Sequence, residues 1–342
     1  MSYLTDPTTW ELLIIFIVLF GVNFLRKMAR PSELPSQAIK RVKRKITKNN
    51  QPINSKASSN TSPIARPRQY LNVVSYNVFL GEDELFSKER HAHVLSTIMH
   101  ESPDIICLQE ASDQILKMIN NNHFYYHCQV GQHIILSKYQ IIDSYQLYAY
   151  GSFDDNILCA VLDCVERFGF NIIVYNVHLS GGTYDKTDTQ ILERRIRRIL
   201  ELNRLNKHIS CSMAEYGILI MGDFNSDANS PDVDIAQYKH KDSCDPEIVF
   251  YPNKQCNNIV DVWTEVASTA GGYTEDTELN LFRRHLKKGQ SRRARYDQIY
   301  YHRNNMQATQ VRLIGTKQID KIDNIDIFPS DHFGLSATFE IE

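Results

Sequence analysis

Polar side chains that could perform hydrolytic chemistry recur at the ends of apolar segments of this sequence. Each Asn or Asp taken alone is a common turn former, and each His taken alone is often a satisfied core residue. An acid inside an apolar strand needs a partner, because burying an unpaired charge is costly. The recurrence therefore predicts one shared site. Its candidate members are Asn77 in SYN, Glu110 in LQE, His178 in NVHL, Asp223 and Asn225 in GDFN, Asp297 in YDQIYY, and Asp331 and His332 in SDH.

These residue types suit the hydrolysis of a phosphoester. Glu110 is a hard oxygen ligand of the kind that Mg²⁺ prefers, with Mn²⁺ as a second choice. A metal there would polarise a phosphoryl oxygen and offset charge on the leaving oxygen. Asp223 could align or deprotonate the attacking water.

The remaining candidates are donors and orienting groups. Asn77 and Asn225 are neutral side chains that could donate to phosphoryl oxygens or orient Asp223. His332 could donate to the phosphoryl oxygen while Asp297 holds its tautomer. His178 could contact a non-bridging oxygen. The sequence holds no G-x-S-x-G, P-loop or H-E-x-x-H motif, so a water nucleophile is expected.

These residues must be positioned by strands and helices, and the periodicity predicts both. Apolar runs predict strands at 71–78, 104–109, 133–137, 157–165, 171–179, 217–223, 296–302 and 334–341. Apolar stripes predict helices at 88–100 and 187–205, the second opening on a Thr187-x-x-Gln190 capping box. Helices among many strands predict sheets covered by helices, in an α/β or α+β sandwich.

Charge is distributed unevenly along the 342 residues, although the formal net charge is only −2. Residues 26–69 carry twelve Lys and Arg against one acid, whereas residues 70–342 carry a net charge of −11. A general attraction of the body for polyanions is therefore not expected, and a local patch would be needed. The seven cysteines are scattered without a C-x-x-C pair, which argues against a disulfide framework or a zinc site.

The N-terminus predicts a membrane anchor over residues 1–25. The segment 4–25 holds 22 residues and would span about 33 Å as a helix. The bases that follow it predict a single pass with the rest of the chain in the cytosol. An amphipathic or buried helix is the alternative, and a cleaved signal peptide is weaker because no small-x-small site follows.

Residues 26–69 predict a flexible basic linker, and residues 70–342 predict one catalytic domain. The stretch KRVKRK at 40–45 suits either anionic lipid or nuclear localisation, so a nuclear protein is the alternative location.

The order of the motifs, from SYN to SDH, resembles the endonuclease/exonuclease/phosphatase superfamily, the deoxyribonuclease-I-like fold. Within it, the stretches DVWTEV (261–266), GYTEDTELN (272–280), RYDQIYYH (295–302) and PSDHFGL (329–335) are most similar to the tyrosyl-DNA phosphodiesterase 2 family. The resemblance implies a four-layer α/β sandwich of two packed mixed sheets flanked by helices. It also implies Mg²⁺-dependent hydrolysis of a tyrosine joined to a 5′ nucleic-acid phosphate, as in DNA repair, with no obligate protein partner.

The resemblance also assigns roles to the candidates. Glu110 becomes the metal ligand, and Asp331 a catalytic or metal-ligating acid. Asn77, Asp223, Asn225 and His332 become catalytic, Asp297 orients His332, and His178 contacts phosphate. Two positions depart from the family: Tyr76 and Glu275 stand where it usually has Trp. An acid in place of a stacking residue bears on the tyrosyl substrate.

The segment 283–295, RRHLKKGQSRRAR, is rich in bases and holds no acid. Such a run is often a solvated loop. Because it leads directly into Asp297, the alternative is a cationic rim that contacts a polyanionic substrate through Arg292, Arg293 and Arg295.

Two other functions fit the same fold. A lipid phosphohydrolase of the sphingomyelinase or inositol-phosphate phosphatase type is favoured by the predicted anchor, although no Trp-Cys-Asp-Arg motif is present. A non-catalytic membrane tether is disfavoured because every hydrolytic position carries a competent residue.

Overall fold

Apolar runs of the sequence form the strands of two six-stranded sheets. The computed structural model describes residues 69–80, 84–122, 125–147, 157–181, 188–212, 215–229, 259–267 and 271–342. The strands are β1 (Gln69–Asn77), β2 (Ile105–Gln109), β3 (Tyr126–Val130), β4 (His133–Ser137), β5 (Ile141–Gln146), β6 (Ile157–Leu162), β7 (Asn171–His178), β8 (Tyr216–Asp223), β9 (Ile259–Asp261), β10 (Glu275–Asp276), β11 (Arg293–Ala294), β12 (Asp297–His302), β13 (Met306–Ile314), β14 (Asp320–Ile322), β15 (Ile325–Ile327) and β16 (Gly334–Ile341). The helices are α1 (Ser87–His100), α2 (Asp113–Asn122), α3 (Val165–Phe168), α4 (Asp188–Ser212), α5 (Val262–Val266) and α6 (Leu281–Leu286).

Each large sheet has a parallel pair of strands at its centre. The first sheet has the order β13-β16-β1-β2-β4-β3, and the second has β5-β6-β7-β8-β12-β9. The pairs β1–β2 and β7–β8 are parallel, and the other pairs in these sheets are antiparallel. Two further pairs, β10–β11 and β14–β15, are short antiparallel ladders. Both large sheets are therefore mixed, as the family resemblance implied.

Successive residues of a strand point to opposite faces of the sheet. The apolar residues are therefore divided between a core shared by the two sheets and an outer cluster under helices. Val73 in β1 joins a core shared with Val174 and Leu219 of the second sheet. Its neighbour Val74 points the other way and packs in a cluster with Ile98 of α1. Helix α2 contributes to the same outer cluster.

Helix α4 lies on the opposite outer face. The hydroxyl of Tyr175, in β7, lies 2.9 Å from Nδ1 of His208, in α4. The order of layers is therefore helices, sheet, sheet, helix.

Several elements differ from their predicted bounds. β6 ends at Leu162, and part of the predicted strand instead forms α3. Helix α4 continues to Ser212 because Leu205 and Ile209 extend its buried stripe. The predicted capping residue Thr187 lies outside the described residues. Edge strands such as β3 and β5 were missed, because half-exposed strands lack continuous apolar runs.

The predicted membrane helix, 1–25, lies outside the described residues, as does the predicted linker, 26–69, apart from Gln69. Gln69 opens β1 and pairs with Ile341. Within the described ranges, no helix combines the length and apolar character needed to cross a membrane.

Candidate active site

The carboxyl ends of the two central parallel pairs carry the predicted catalytic residues. In the first sheet Asn77 is the last residue of β1, and Glu110 directly follows β2. In the second sheet His178 and Asp223 end β7 and β8 and face each other in register. Parallel strands present their carboxyl ends at one edge of a sheet, so register alone brings these side chains together.

One amide links the two sheets at this edge. The Asn77 Nδ2 group donates to Glu110 Oε1 at 2.8 Å and to Asp223 Oδ2 at 3.2 Å. The Asn77 side chain is fully buried. A buried amide that satisfies both acids holds their carboxylates close together without neutralising either charge.

His178 lies against the same two carboxylates. Its Nε2 is 3.6 Å from Glu110 Oε1 and 3.8 Å from Asp223 Oδ2. The His178 ring also lies 5.7 Å from the ring of His133, between centroids. Burial, and then the neighbouring His178, lower the pKa of His133 to about 4. His133 is therefore a neutral residue beside the site, and sequence reasoning missed it.

Asp297 and His332 form a hydrogen-bonded dyad. Asp297 Oδ2 lies 2.8 Å from His332 Nδ1, and Asp297 pairs in register with Asp223 across β12 and β8. Burial disfavours the charged imidazole, but the carboxylates of Asp297 and Asp331 outweigh it and raise the pKa of His332 to about 10. His332 is therefore protonated at neutral pH.

Two hydroxyl side chains fix the segments that carry the dyad. Thr274 Oγ1 accepts hydrogen bonds from the backbone N–H groups of Tyr296 and Asp297, at 3.1 and 2.9 Å. Ser330 Oγ donates to the carbonyl of Asn77 at 2.7 Å and accepts from the N–H of His332 at 3.2 Å. Neither role has a specific signal in the sequence, since Ser and Thr are common in loops.

Two residues of the site have a left-handed backbone conformation, as do six other non-glycine residues elsewhere in the described structure. Glu110 and Asn225 have φ angles of 51° and 50°, in the left-handed region that residues other than Asn and Gly rarely adopt. Asn225 is held by its N–H, which donates to Asp223 Oδ1 at 2.8 Å, and by its Nδ2, which donates to the Leu179 carbonyl at 2.9 Å. A Cβ on Gly181 would lie 2.4 Å from Asn225 Oδ1, so only glycine fits there.

The carboxylates provide a group that fits a divalent cation. Ligand atoms of Glu110, His178 and Asp223 all lie within 4.8 Å of one another. Atoms of Asp223, Asp297 and His332 form a second such group. The second group is less suited to a metal, because His332 is protonated and hydrogen-bonded to Asp297. The first group offers two hard carboxylates and fits Mg²⁺ or Mn²⁺.

Asp331 contacts a base rather than either of these groups. Its Oδ2 forms an ion pair with Nη1 of Arg283. Burial would raise the pKa of Asp331, but the Arg283 guanidinium lowers it below its ordinary value. The second acid that contacts Arg283 is Glu275, whose Oε1 accepts from Arg283 Nε at 2.7 Å. Arg283 therefore occupies the Asp331 carboxylate and would compete with the metal ion that the resemblance assigns to it.

The predicted substrate-contacting arginines are not equivalent. Arg295 has only 1% of its side chain exposed and forms a two-pronged pair with Asp261, at 3.0 and 2.6 Å. A buried side chain cannot form part of a solvent-facing rim, so Arg295 has a structural position. Arg292 and Arg293 keep 33% and 46% exposure. Arg293 pairs with Asp276 at 3.0 Å and stacks 4.6 Å above Tyr273.

The acid at position 275, where the family usually has Trp, is buried rather than exposed. Glu275 is fully buried and lies between Arg283 and Arg292. It therefore does not present a bare acid to a substrate. Tyr76 is also fully buried, within the outer cluster of the first sheet.

Known proteins resemble this chain in sequence profile and in fold. The sequence profile of the Endonuclease/Exonuclease/phosphatase family matches residues 74–332, more than half of the chain. A search of curated proteins found no match.

Three solved structures illustrate the likeness in fold. TDP2 from D. rerio, complexed with single strand DNA product, is 20% identical with a TM-score of 0.57, covering 79% of this chain and 98% of that one. TDP2 from C. elegans is 21% identical with a TM-score of 0.57, covering 79% and 75%. A mannosyl-6-phosphatase from Bacteroides thetaiotaomicron is 16% identical with a TM-score of 0.54, covering 79% and 99%.

Proposed function

Because the chain belongs to the endonuclease/exonuclease/phosphatase family, whose members are hydrolases, we propose that it is an Mg²⁺-dependent phosphodiesterase that acts on nucleic acid. One observation carries the proposal. Two carboxylates from different sheets, Glu110 and Asp223, share the Asn77 amide, and Asp223 also faces the dyad. Asp223 thus lies between the proposed cation site and the protonated His332.

Glu110 and Asp223 would hold the cation, with His178 beside it. Asp297 Oδ1, in the neighbouring group with Asp223 and His332, lies outside this cation site. It is buried, and no residue in the described part of the chain donates a hydrogen bond to it. When bound, Mg²⁺ supplies Lewis-acid stabilisation of charge on the phosphoryl and leaving oxygens, and Mn²⁺ can replace it.

Asp223 is placed to orient and deprotonate the attacking water. Its two oxygens accept from Asn77 Nδ2 and from the Asn225 N–H. These bonds fix the direction of the carboxylate. Of the two roles open to Asn77 and Asn225, orienting Asp223 is the one these contacts favour.

His332 is placed to donate a proton in a hydrogen bond to a phosphoryl oxygen. Its Nδ1–H is held by Asp297, which leaves the Nε2–H directed away from the dyad. A donor already charged and oriented before the reaction needs little reorganisation as negative charge develops. His178 completes the site as a second contact for a non-bridging oxygen.

The substrate we propose is nucleic acid joined through its 5′ phosphate to a tyrosine or peptide. Support comes from the order of motifs and from the likeness in fold to TDP2 structures, one of them holding a single-strand DNA product. The partly exposed Arg292 and Arg293 add positive charge. We further propose that residues 1–25 anchor the protein in a membrane with this domain in the cytosol; a nuclear location is the alternative.

A phosphomonoesterase or lipid phosphohydrolase is the second candidate. Two observations favour it: the apolar segment at the N-terminus and the likeness in fold to a mannosyl-6-phosphatase. The same acids and dyad would serve either reaction, so the substrate must be decided by assay.

The test compares two oligonucleotides, one with a 5′-phosphotyrosine and one with a plain 5′ end, using the full chain in detergent with Mg²⁺ or EDTA. Mg²⁺-dependent release of tyrosine that leaves a 5′ phosphate is the expected result. Shortening of both strands would indicate a general nuclease. No reaction with either, alongside release of phosphate products from lipid micelles or sugar phosphates, would overturn the nucleic-acid assignment. Glu110→Gln is the control for contaminating nucleases.

A further inference from the structure

Two buried amides end the rows of apolar side chains that face the core between the two sheets. Cys107 in β2 and Val174 in β7 belong to that core. Two residues further along each strand, and therefore on the same face, stand Gln109 and Asn176. Both are fully buried. The contact between the sheets is therefore polar at this level, directly before the strand-end site.

The Asn176 amide bonds to three positions of the first sheet. Its Oδ1 accepts a hydrogen bond from Gln109 Nε2 at 2.7 Å. Its Nδ2 donates to the carbonyl oxygens of Leu108 and Ile134, at 2.9 Å each. Leu108 and Ile134 are partners in register on β2 and β4. One side chain of the second sheet therefore holds two neighbouring strands of the first.

Each of these positions adjoins a residue of the strand-end site. Glu110 directly follows Gln109, and His178 lies two residues after Asn176 on the same face of β7. Glu110 Oε1 and His178 Nε2 are 3.6 Å apart. The bonded residue in β4 directly follows His133, whose ring lies 5.7 Å from that of His178. The amide pair therefore joins the two sheets where their strands lead into the site.

Apolar packing alone would not fix the sheets as closely as this pair does. Apolar contacts have no preferred direction, and the ladders of β2 and β7 run within their own sheets. Hydrogen bonds between amides are directional, so the Asn176 bonds oppose sliding of one sheet over the other. The pair also carries a cost, because Gln109 Oε1 is buried and accepts no hydrogen bond within the described part of the chain. This cost favours a positional role over a stabilising one.

We propose that Asn176 and Gln109 are positioning residues for the cation site. They set the separation between Glu110 of the first sheet and Asp223 of the second. Asn77 links these two carboxylates directly, whereas the amide pair links β2 to β7, which pairs in parallel with the strand that ends in Asp223. The inference rests on the proposed function and deepens it, because the placing of its ligands decides how tightly a site binds a divalent cation.

The test measures the Kd of Mn²⁺ for the full chain in detergent by isothermal titration calorimetry, so no substrate is needed. Glu110→Gln identifies the site, because binding there should be lost with the carboxylate charge. Asn176→Leu keeps the approximate shape of the side chain without its amide. This variant should weaken the Kd at that site by about tenfold or more.

Asn171→Leu is the matched control, since Asn171 is a buried asparagine at the other end of the same strand. Its Oδ1 accepts from the Cys164 N–H at 3.2 Å, so this variant also loses a buried hydrogen bond. Both variants should lower the free energy of unfolding, but only Asn176→Leu should change the Kd. An equal Kd in the two variants would overturn the inference and leave the cation site standing.

Failure of the proposed function would look different, since the unaltered chain would then show no Mn²⁺ binding that Glu110→Gln removes. That result would overturn the inference together with the function. If circular dichroism shows that Asn176→Leu does not fold, Gln109→Met decides the question. It leaves both backbone carbonyls bonded to Asn176, so it is expected to fold. It should weaken the Kd by a smaller factor, and an unchanged Kd would overturn the inference.

Discussion

The strand-end site and the basic segment 283–295 are both dense in charge, yet they are positioned in different ways. Asn77, His178 and Asp223 take their places because they end paired strands whose register is set by buried apolar residues. The arginines of the segment are instead placed by acids far away in sequence. Strand register positions the side chains of the strand-end site, whereas ion pairs position those of the basic segment.

This difference matters for what a charge can do. In the strand-end site, carboxylates meet an amide and imidazoles, and none of the described contacts of Glu110 is with Lys or Arg. In the basic segment four of the five arginines have a described acid partner: Glu275 or Asp331 for Arg283, Glu275 for Arg292, Asp276 for Arg293 and Asp261 for Arg295. The first region keeps negative charge available for a cation, whereas the second is largely neutralised. The comparison therefore predicts catalytic defects from the first region and graded structural defects from the second.

The largest effect is expected for Glu110→Gln. The amide keeps the shape of the side chain but loses the charge that a divalent cation requires, so Mg²⁺-dependent turnover should fall about 10⁴-fold or more. Thermal unfolding should change little, because Glu110 is partly exposed. The control is Glu265→Gln, which removes a carboxylate paired with Arg303. Turnover retained in Glu110→Gln would contradict the site assignment.

The dyad is expected to give the next largest effect. His332→Ala removes the charged donor and should lower kcat by about 10²–10⁴. A variant that loses only substrate affinity, with kcat intact, would show that His332 serves binding alone. Asn171, a buried polar residue at the opposite end of β7 from His178, gives a matched variant, Asn171→Ala, that should leave kcat nearly unchanged.

The pH profile tests the cause of the His332 charge. Its folded pKa of about 10 lies above the ordinary value of 6.5. The protonated form therefore stabilises the fold fully below pH 6.5, and that contribution is lost as the pH rises through about 10. Activity should follow the same protonation and decline on the alkaline side near pH 10. Asp297→Asn removes the main charge that raises this pKa, so the decline should move toward neutral pH; an unmoved alkaline limb would refute this reasoning.

In the basic segment the largest effect should come from Arg295→Met. The substitution leaves Asp261 beside a buried apolar side chain, at a cost of about 3 kcal/mol in the free energy of unfolding. Arg303→Met breaks a pair that is half exposed, and should cost less than about 1 kcal/mol. Chemical denaturation measures both values. Equal, small losses would mean that the Arg295–Asp261 pair contributes no more than a surface pair.

The same contrast explains what the sequence could predict. The family and the strands that carry the site were predicted and are confirmed, because apolar strands and the residues that end them are local features of the sequence. Asp297 was expected to have a partner because it lies within an apolar strand, and His332 occupies that place. The pairing of Arg283 with Asp331 and that of Arg295 with Asp261 could not be predicted, since these acids lie 48 and 34 residues away and their positions depend on how loops fold. His133 also escaped notice, because only packing brings it to His178.

Arg293 is expected to give the smallest effect, and it decides whether any part of the basic segment reaches a polyanion. Its side chain is 46% exposed, and its pairing with Asp276 leaves much of the guanidinium in solvent. Arg293→Gln should therefore change the free energy of unfolding by less than about 1 kcal/mol.

If Arg293 also contacts a nucleic-acid phosphate, the same variant should reduce the slope of log Kd against log salt by about one unit, since one fewer counterion is released. Binding of a single-stranded oligonucleotide at several salt concentrations measures this slope. Arg312→Gln provides the control, because Arg312 is also exposed and paired with an acid, Glu101, but lies on β13 of the other sheet. Equal slopes in the two variants would mean that Arg293 faces solvent and does not contact the nucleic acid.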